Sequence, residues 1–387
     1  MKIAIVTPIP TPYRDAFWNV MASLPDVELH VLYCATGKSD RPWKNTWEMH
    51  YHHFFMKGWN LTSWKSSEDS QYFNPGVISQ LNRMRPEAIL IGGYNHLTMF
   101  LAMLWAIRNG TAFYMMCETY LFNKKKGLGA FLKKILLNSI GNRSAGGFPT
   151  GKAAAIYLEA HGWKTENMSY LPNVPDIDHI SSKIVSLQSK KASLKSKWKI
   201  NEEKIILYVG RLVKKKNVDL LLKAVAQLEI KPKPTLIILG DGDERSNLKA
   251  LSKQLGIDHM TRFLGFQEPD AILEWFALAE IFVLPSNETW GVAPIEAASA
   301  GLPLILSDGV GSACELRSHY KEMQIIKPGN IQNWISSLSE TLVSNKNCTK
   351  KLHQNFDQKP LLTHWNYSTL AKKTVSFLLS KRSTIID

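Results

Sequence analysis

The chain has 387 residues, which at about 100–200 residues per domain suits two domains. Apolar residues at 45% and charged residues at 21% exclude wholesale disorder, while 23 Gly, 18 Pro and 4 Cys exclude collagen-like and disulfide-stapled chains. The 47 Lys+Arg against 33 Asp+Glu give a formal charge of +14, which fits a solvated surface, a phosphate-bearing partner or an anionic membrane.

The cysteines, Cys34, Cys117, Cys314 and Cys348, form no CxxC pair and no zinc pattern, and a reducing cytosol is the simplest setting. Met1 to Pro8 reads as a first strand, not as a secretory leader. The apolar stretch Ile89–Ile107 is interrupted by Gly92-Gly93, Asn95 and His96 and falls short of a membrane span.

In chain order, the first half offers strands at Ile3–Thr7, Leu29–Tyr33, Ala88–Ile91, Phe113–Cys117 and Gly146–Phe148, with helical windows at Gly76–Met84, Leu97–Arg108 and Lys152–His161. The second half offers strands at Ile205–Val209, Leu236–Leu239, Arg262–Leu264, Ile281–Leu284 and Leu304–Leu306. Helices are expected at Val218–Leu228, Glu244–Leu255, Ala271–Ala279 and Pro294–Ala300. Such alternation predicts parallel sheets covered on both faces, and two series predict two doubly wound Rossmann-like α/β domains. Ligands of such sheets lie at the carboxyl ends of the strands, so two facing domains would hold the site in the cleft between them. The expected division is 1–178, a basic linker at 179–200, a second domain at 201–360 and a C-terminal helix and tail at 361–387.

Two segments after strands carry chemistry. Gly210-Arg-Leu-Val-Lys-Lys-Lys-Asn217 follows a strand and precedes a helix, where free N–H groups, the Arg211 fork and the Lys216 point charge suit phosphate. Pro285 to Gly301 follows the next buried strand and carries Glu288 in its turn, Glu296 in the helix, Gly291 for close backbone approach and Pro294 for a helix start. Ionised carboxylates accept hydrogen bonds from hydroxyls. Carboxylates flanking a phosphate-binding turn therefore suit a ligand with both diols and phosphates, and a nucleotide sugar has both.

Gly210-Arg211-Leu212 with Lys216, Leu239-Gly-Asp-Gly242, Phe263-Leu-Gly265, and Ser286…Glu288…Gly291…Glu296-Ala297…Gly301-Leu-Pro303 resemble the retaining GT-B glycosyltransferases of family 4, which make cell-surface polysaccharides and glycolipids. The resemblance covers about Ile205 to Pro328. It implies a GT-B fold whose C-terminal helix, around Leu361–Leu379 with Trp365 and Tyr367, crosses back to the first domain. It implies that Arg211 and Lys216 hold the donor diphosphate, Glu288 the sugar hydroxyls and Glu296 the ribose, with Gly210, Gly265, Phe266, Thr289, Trp290, Gly291 and Val292 around the donor. Thr289-Trp290-Gly291 departs from the family's frequent Gly-Phe-Gly and could reshape the sugar pocket, and Asn217 replaces a frequent glycine.

The first half matches more loosely, with Pro8-Ile-Pro-Thr-Pro-Tyr-Arg14 in place of a Gly-Gly turn. Arg14 could meet phosphate or an anionic acceptor, or serve the helix start. Glu118, in Cys117-Glu-Thr119, is the expected cleft residue with a catalytic role, and His96 is a further acceptor candidate or a helix-start residue. Asp241-Gly-Asp243 and Asp176-Ile-Asp178 read Asp-x-Asp, yet turn and N-cap roles suffice for the first, so no metal is expected. No cofactor is expected beyond the substrate, a UDP- or GDP-sugar.

The basic segment Lys124–Ile140 sets Leu128, Phe131, Leu132 and Ile135 on one helical face with Lys133 and Lys134 off it, which suits either an anionic membrane or a core-facing helix. The expectation is a cytoplasmic, metal-independent hexosyltransferase, peripheral at the inner face of the membrane, that moves sugar to a glycan or lipid-linked hydroxyl. A GT-B sugar-nucleotide epimerase, a glycoside hydrolase and a basic nucleic-acid-binding protein are the alternatives. No nucleic-acid motif and no Gly-x-Gly-x-x-Gly fingerprint are present, and no nucleic-acid partner is expected.

Overall fold

The inner strands form where β-branched and aliphatic residues run without interruption, as in residues 3–6, 88–91 and 205–207. The computed structural model describes residues 1–37, 48–61, 70–119, 127–201, 204–344 and 359–386. They divide into unit 1, Met1–Asp176 with Tyr367–Asp387, and unit 2, Ile177–Asn366.

Unit 1 contains β1 (Lys2–Thr7), β2 (Glu28–Tyr33), β3 (His52–Phe55), the small antiparallel pair β4 (Trp59–Asn60) and β5 (Tyr72–Phe73), β6 (Ala88–Gly92), β7 (Ala112–Cys117) and β8 (Gly146–Pro149). Its main sheet is parallel, in the order β3-β2-β1-β6-β7-β8. The inner strands are buried on both faces, hence their continuous apolar runs. Unit 2 repeats the plan with β9 (Ile205–Val209), β10 (Thr235–Leu239), β11 (Thr261–Gly265), β12 (Ile281–Leu284), β13 (Leu304–Ser307) and β14 (Met323–Ile326). Their order is β11-β10-β9-β12-β13-β14, again parallel. Trp275, Phe276, Phe282, Tyr320 and Trp334 fill its core.

Both sheets grow outward on one side of the first strand and then resume on its other side. The switch falls between β1 and β6 in unit 1 and between β9 and β12 in unit 2. Loops that leave adjacent strands in opposite directions make the ligand crevice of a doubly wound sheet.

The expected linker at 179–200 is folded. Ile177–Gln188 and Lys191–Lys197 are helices that pack on the helix Pro269–Leu278 within unit 2. Ile177, Ile180, Ile184, Leu187 and Leu194 supply the buried stripe that its lysine-rich composition obscures. Lys191 pairs with Glu280 at 3.4 Å and Lys197 with Glu274 at 2.7 Å, so these cations are spent inside the unit.

The C-terminal helix Tyr367–Ile386 belongs to unit 1, whereas Lys359–Trp365 stays with unit 2. The C-terminal helix lies along the helix Pro12–Ala22, and its Phe377 ring meets Tyr114 and Phe148 at 6.1 and 5.4 Å. Lys381 Nζ reaches Asn167 Oδ1 at 2.6 Å.

Candidate functional site

In unit 2 the loop after β9 is stitched to its neighbours through main-chain bonds. Gly210 N–H donates to the Leu239 carbonyl at 2.9 Å, Leu212 N–H to Asp241 at 2.9 Å and Glu244 N–H to Leu212 at 3.0 Å. This approach requires Gly240, with φ of 126°, because a Cβ there would fall 2.0 Å from the Gly210 carbonyl oxygen. The loop after β12 is tied in as well: Asn287 N–H donates to the Lys215 carbonyl at 2.8 Å, and Asn217 Nδ2 to the Pro285 carbonyl at 2.9 Å. Asn217 sits in the left-handed region, φ 49°, a conformation that asparagine tolerates better than other residues with a Cβ.

These ties bring Lys216 Nζ to 2.7 Å from Glu288 Oε1, with both side chains largely enclosed. Burial lowers the Lys216 pKa, Glu288 raises it, and the nearby charges of Arg211 and Lys215 lower it further. Burial raises the Tyr208 phenol well above its ordinary value, with Glu288 raising and Arg211 lowering it, which puts both charges within electrostatic reach of that ring. The Tyr208 hydroxyl donates to the Arg211 carbonyl at 3.0 Å and fixes the loop. Glu296, in the first turn of the helix Ala293–Ser299, is pushed up to about 7 by burial alone. Gly291 closes the turn with φ of 92°, and a Cβ there would crowd the Glu288 carboxylate at 3.2 Å. Val292 stands at the helix start, Thr289 and Phe266 are exposed, and Gly265 accepts the Gly240 N–H through its carbonyl at 2.8 Å.

The Trp290 side chain, expected around the donor, is turned away from solvent. It is 4% exposed and its ring packs inward on Trp365, 6.1 Å away, which in turn meets His319. Its place in the turn is that of an anchor, because a ring this large gains more by joining the unit's core than by standing in solvent. Asp241 accepts from Gly242 N–H at 2.8 Å and from Arg245 at 2.7 Å, the turn role expected for the Asp-x-Asp sequence. Among the described residues no cluster of three His, Cys, Asp or Glu has metal-ligand spacing.

Unit 1 has a cavity of about 740 Å³ at its switch point, lined by the loops after β1, β6 and β7. It gathers all three expected residues, Arg14, His96 and Glu118, with Lys133 at its edge. Arg14 Nη2 lies 3.4 Å from Glu118 Oε1, and its guanidinium stands 5.7 Å over the Trp18 ring. His96 precedes the helix Leu97–Asn109, makes no side-chain cap, and accepts the Tyr72 N–H at Nδ1 at 3.4 Å. A second partner of Glu118, Asn173, escaped the sequence reading: its Nδ2 donates to the same Oε1. The signal for it was an asparagine fixed between Pro172 and Pro175, which read only as a boundary.

The helix Leu128–Gly141 exposes Phe131 by 61%, Leu132 by 56%, Ile135 by 51% and Leu136 by 47%, while Leu137 and Ile140 enter the core. The core thus takes a different face from the one that carries Phe131, Leu132 and Ile135. Lys124–Lys126 lie outside the described residues.

The fold is that of the GT-B glycosyltransferases. HepE from Anabaena in complex with UDP superposes with a TM-score of 0.74 over 98% of this chain and 100% of that one, at 18% identity. Residues 190–359, within unit 2, match the family described as Glycosyl transferases group 1. An uncharacterized glycosyltransferase of Methanocaldococcus jannaschii is 30% identical over 177 residues, 46% of this chain and 45% of the relative. A GDP-mannose-dependent alpha-(1-6)-phosphatidylinositol monomannoside mannosyltransferase of Mycobacterium tuberculosis is 25% identical over 222 residues, 55% of this chain and 56% of the relative. The chain thus spans about half the length of these curated relatives. No helix among the described residues is long and apolar enough to cross a membrane.

Proposed function

We propose that the protein is a retaining glycosyltransferase that moves a sugar from a UDP- or GDP-sugar to a hydroxyl acceptor, without a catalytic metal. The observation that carries the reading is the enclosed Lys216–Glu288 pair, held at 2.7 Å by stitched loops inside the segment that matches group 1. Without ligand, each charge compensates the other. A donor offers each a replacement: its diphosphate for Lys216 and Arg211, its sugar hydroxyls for Glu288, and its ribose hydroxyls for Glu296. In the reaction the bond between the anomeric carbon and the diphosphate oxygen breaks. The acceptor oxygen bonds to that carbon on the same face, and the acceptor's proton passes to the departing phosphate oxygen. Arg211 and Lys216 stabilise the charge growing there, and such electrostatic stabilisation ordinarily contributes more to the rate than any other single effect. A carboxylate tied to a lysine is poorly suited to act as a glycosidase nucleophile, which sets the hydrolase reading behind.

The test is a screen of UDP-, GDP- and ADP-sugars for donor turnover in the presence of EDTA. One UDP- or GDP-sugar should turn over undiminished by the chelator, and Arg211→Ala should lower kcat by about tenfold or more at saturating donor. Near-normal turnover in that variant refutes the diphosphate role. An epimerised sugar nucleotide as product would favour the epimerase.

On the acceptor side, the exposed apolar face of Leu128–Gly141 with Lys133 and Lys134 supports docking on an anionic bilayer. Lys133, off that face, lines the cavity of unit 1, so the same helix borders the cavity on one side and exposes its apolar face on another. A lipid-linked glycan at a cytoplasmic membrane surface is the acceptor this arrangement supports.

A further inference from the structure

We infer that the cavity of unit 1 takes a neutral glycan hydroxyl, not a phosphate, at Glu118, and that Asn173 and Arg14 are positioning residues that hold this carboxylate for it. The inference rests on the glycosyl-transfer reading and names the chemistry of its acceptor.

The charges of the cavity decide the ligand class. Arg14, the residue best suited to grip a phosphate, is already engaged: Nη2 on Glu118 Oε1 at 3.4 Å and Nη1 against Met116 Sδ at 3.9 Å. At Lys216 the charges of Arg211 and Lys215 stand close by to share an incoming diphosphate, whereas among the described residues Arg14 is the one cation in contact with the Glu118 carboxylate. Lys133 stands 4.8 Å over the Tyr94 ring, and His96 presents Nδ1 as an acceptor to Tyr72. Glu118 is half exposed, and among the described residues nothing bonds its Oε2. An ionised carboxylate only accepts, so what meets that oxygen must donate, as a sugar hydroxyl does.

The carboxylate is also built to stay in place. Asn173 is 2% exposed, and it lies in a segment stiffened by Pro172 before it and Pro175 two residues on. The Tyr367 hydroxyl lies 3.1 Å from the Tyr13 carbonyl and 3.3 Å from that of Val174. One group of the C-terminal helix therefore braces both segments that donate to Glu118 Oε1. With that oxygen doubly engaged and Glu118 lining the cavity, the carboxylate is held in a fixed direction, the preorganisation that positions a nucleophilic hydroxyl.

The test is saturation-transfer NMR on the full chain with methyl glycosides of glucose, galactose, mannose and N-acetylglucosamine, and with inorganic phosphate as competitor. At least one glycoside should bind the unaltered protein and resist displacement by phosphate. Asn173→Ala and Glu118→Ala should each weaken it by about tenfold, the loss of a hydrogen bond to a charged group. The double variant should be no weaker than Glu118→Ala, because Asn173 acts through Glu118. Glu118→Gln keeps the shape, needs no buried change and frees Arg14. It should lose the glycoside and gain phosphate binding, an exchange that a merely structural role would not produce. UDP and GDP affinity, measured by calorimetry, should be the same in every variant. Failure of all four glycosides to bind, displacement by phosphate in the unaltered protein, or additive losses in the double variant would overturn the inference. Absence of any nucleotide binding would instead strike the donor reading and leave the glycoside result standing.

Discussion

Among the described residues Glu296 has no charged partner to offset its burial, and its pKa of about 7 against an ordinary 4.5 makes it a net cost to the folded unit. The folded state holds this proton more tightly than the unfolded chain does. The cost is therefore absent below about pH 4.5, grows as the pH rises and is complete above about pH 7. Glu296→Gln should raise the melting temperature of unit 2 by a few degrees at pH 8 and leave it unchanged near pH 4.5, as thermal unfolding would show (about 4–8 °C per kcal/mol at small domain size). If the ionised carboxylate binds the ribose, nucleotide affinity should fall as the pH drops below 7 and lose that dependence in the variant. The motifs point to Arg211, Lys216, Glu288 and Glu296 because each is tied to a strand end, a position that patterning locates. Asn173 and the inward turn of Trp290 were not legible, since partners 55 and 75 residues away decide them.

The strands of both series were legible to within a residue or two, because burial on both faces turns them into unbroken apolar runs. Four strands escaped: the two-residue pair β4 and β5, and the sheet edges β3 and β14, of which β3 is His-His-Phe-Phe with its first three residues exposed and carries no such run. Lys183–Lys199 misled for the opposite reason, as its charges outnumber the five apolar residues that fold it. The helix Leu128–Gly141 is a different case, with an apolar face that finds no cover among the described residues of unit 1. Vesicles of phosphatidylcholine with added phosphatidylglycerol should carry the protein upward in flotation, and pure phosphatidylcholine should carry much less. Leu132→Glu with Ile135→Glu should abolish flotation without lowering the melting temperature, since both side chains are half exposed. Flotation of that variant as before would refute membrane docking through this face.

The charge of +14 now has addresses. In unit 2 lysines are consumed by Glu274, Glu280 and Glu288, whereas Lys133 and Lys134 of unit 1 accompany an exposed apolar face. The chain returns to unit 1 only at Tyr367, and Leu370, Val375 and Leu378 are buried there. At about 1.5–3 kcal/mol for each, their loss rivals the whole stability of a domain, about 5–15 kcal/mol. Deleting 367–387 should therefore collapse the calorimetric transition of unit 1 and leave that of unit 2, marked by its upward shift with UDP or GDP, in place.

The same connectivity sets a schedule. A ribosome delivers residues 1–176 before unit 2, yet the helix that covers Tyr114 and Phe148 emerges only after it. Domains fold as they are completed. The half encoded second is therefore ready first, and the half encoded first must wait, with part of its core uncovered, until the chain beyond unit 2 has been made.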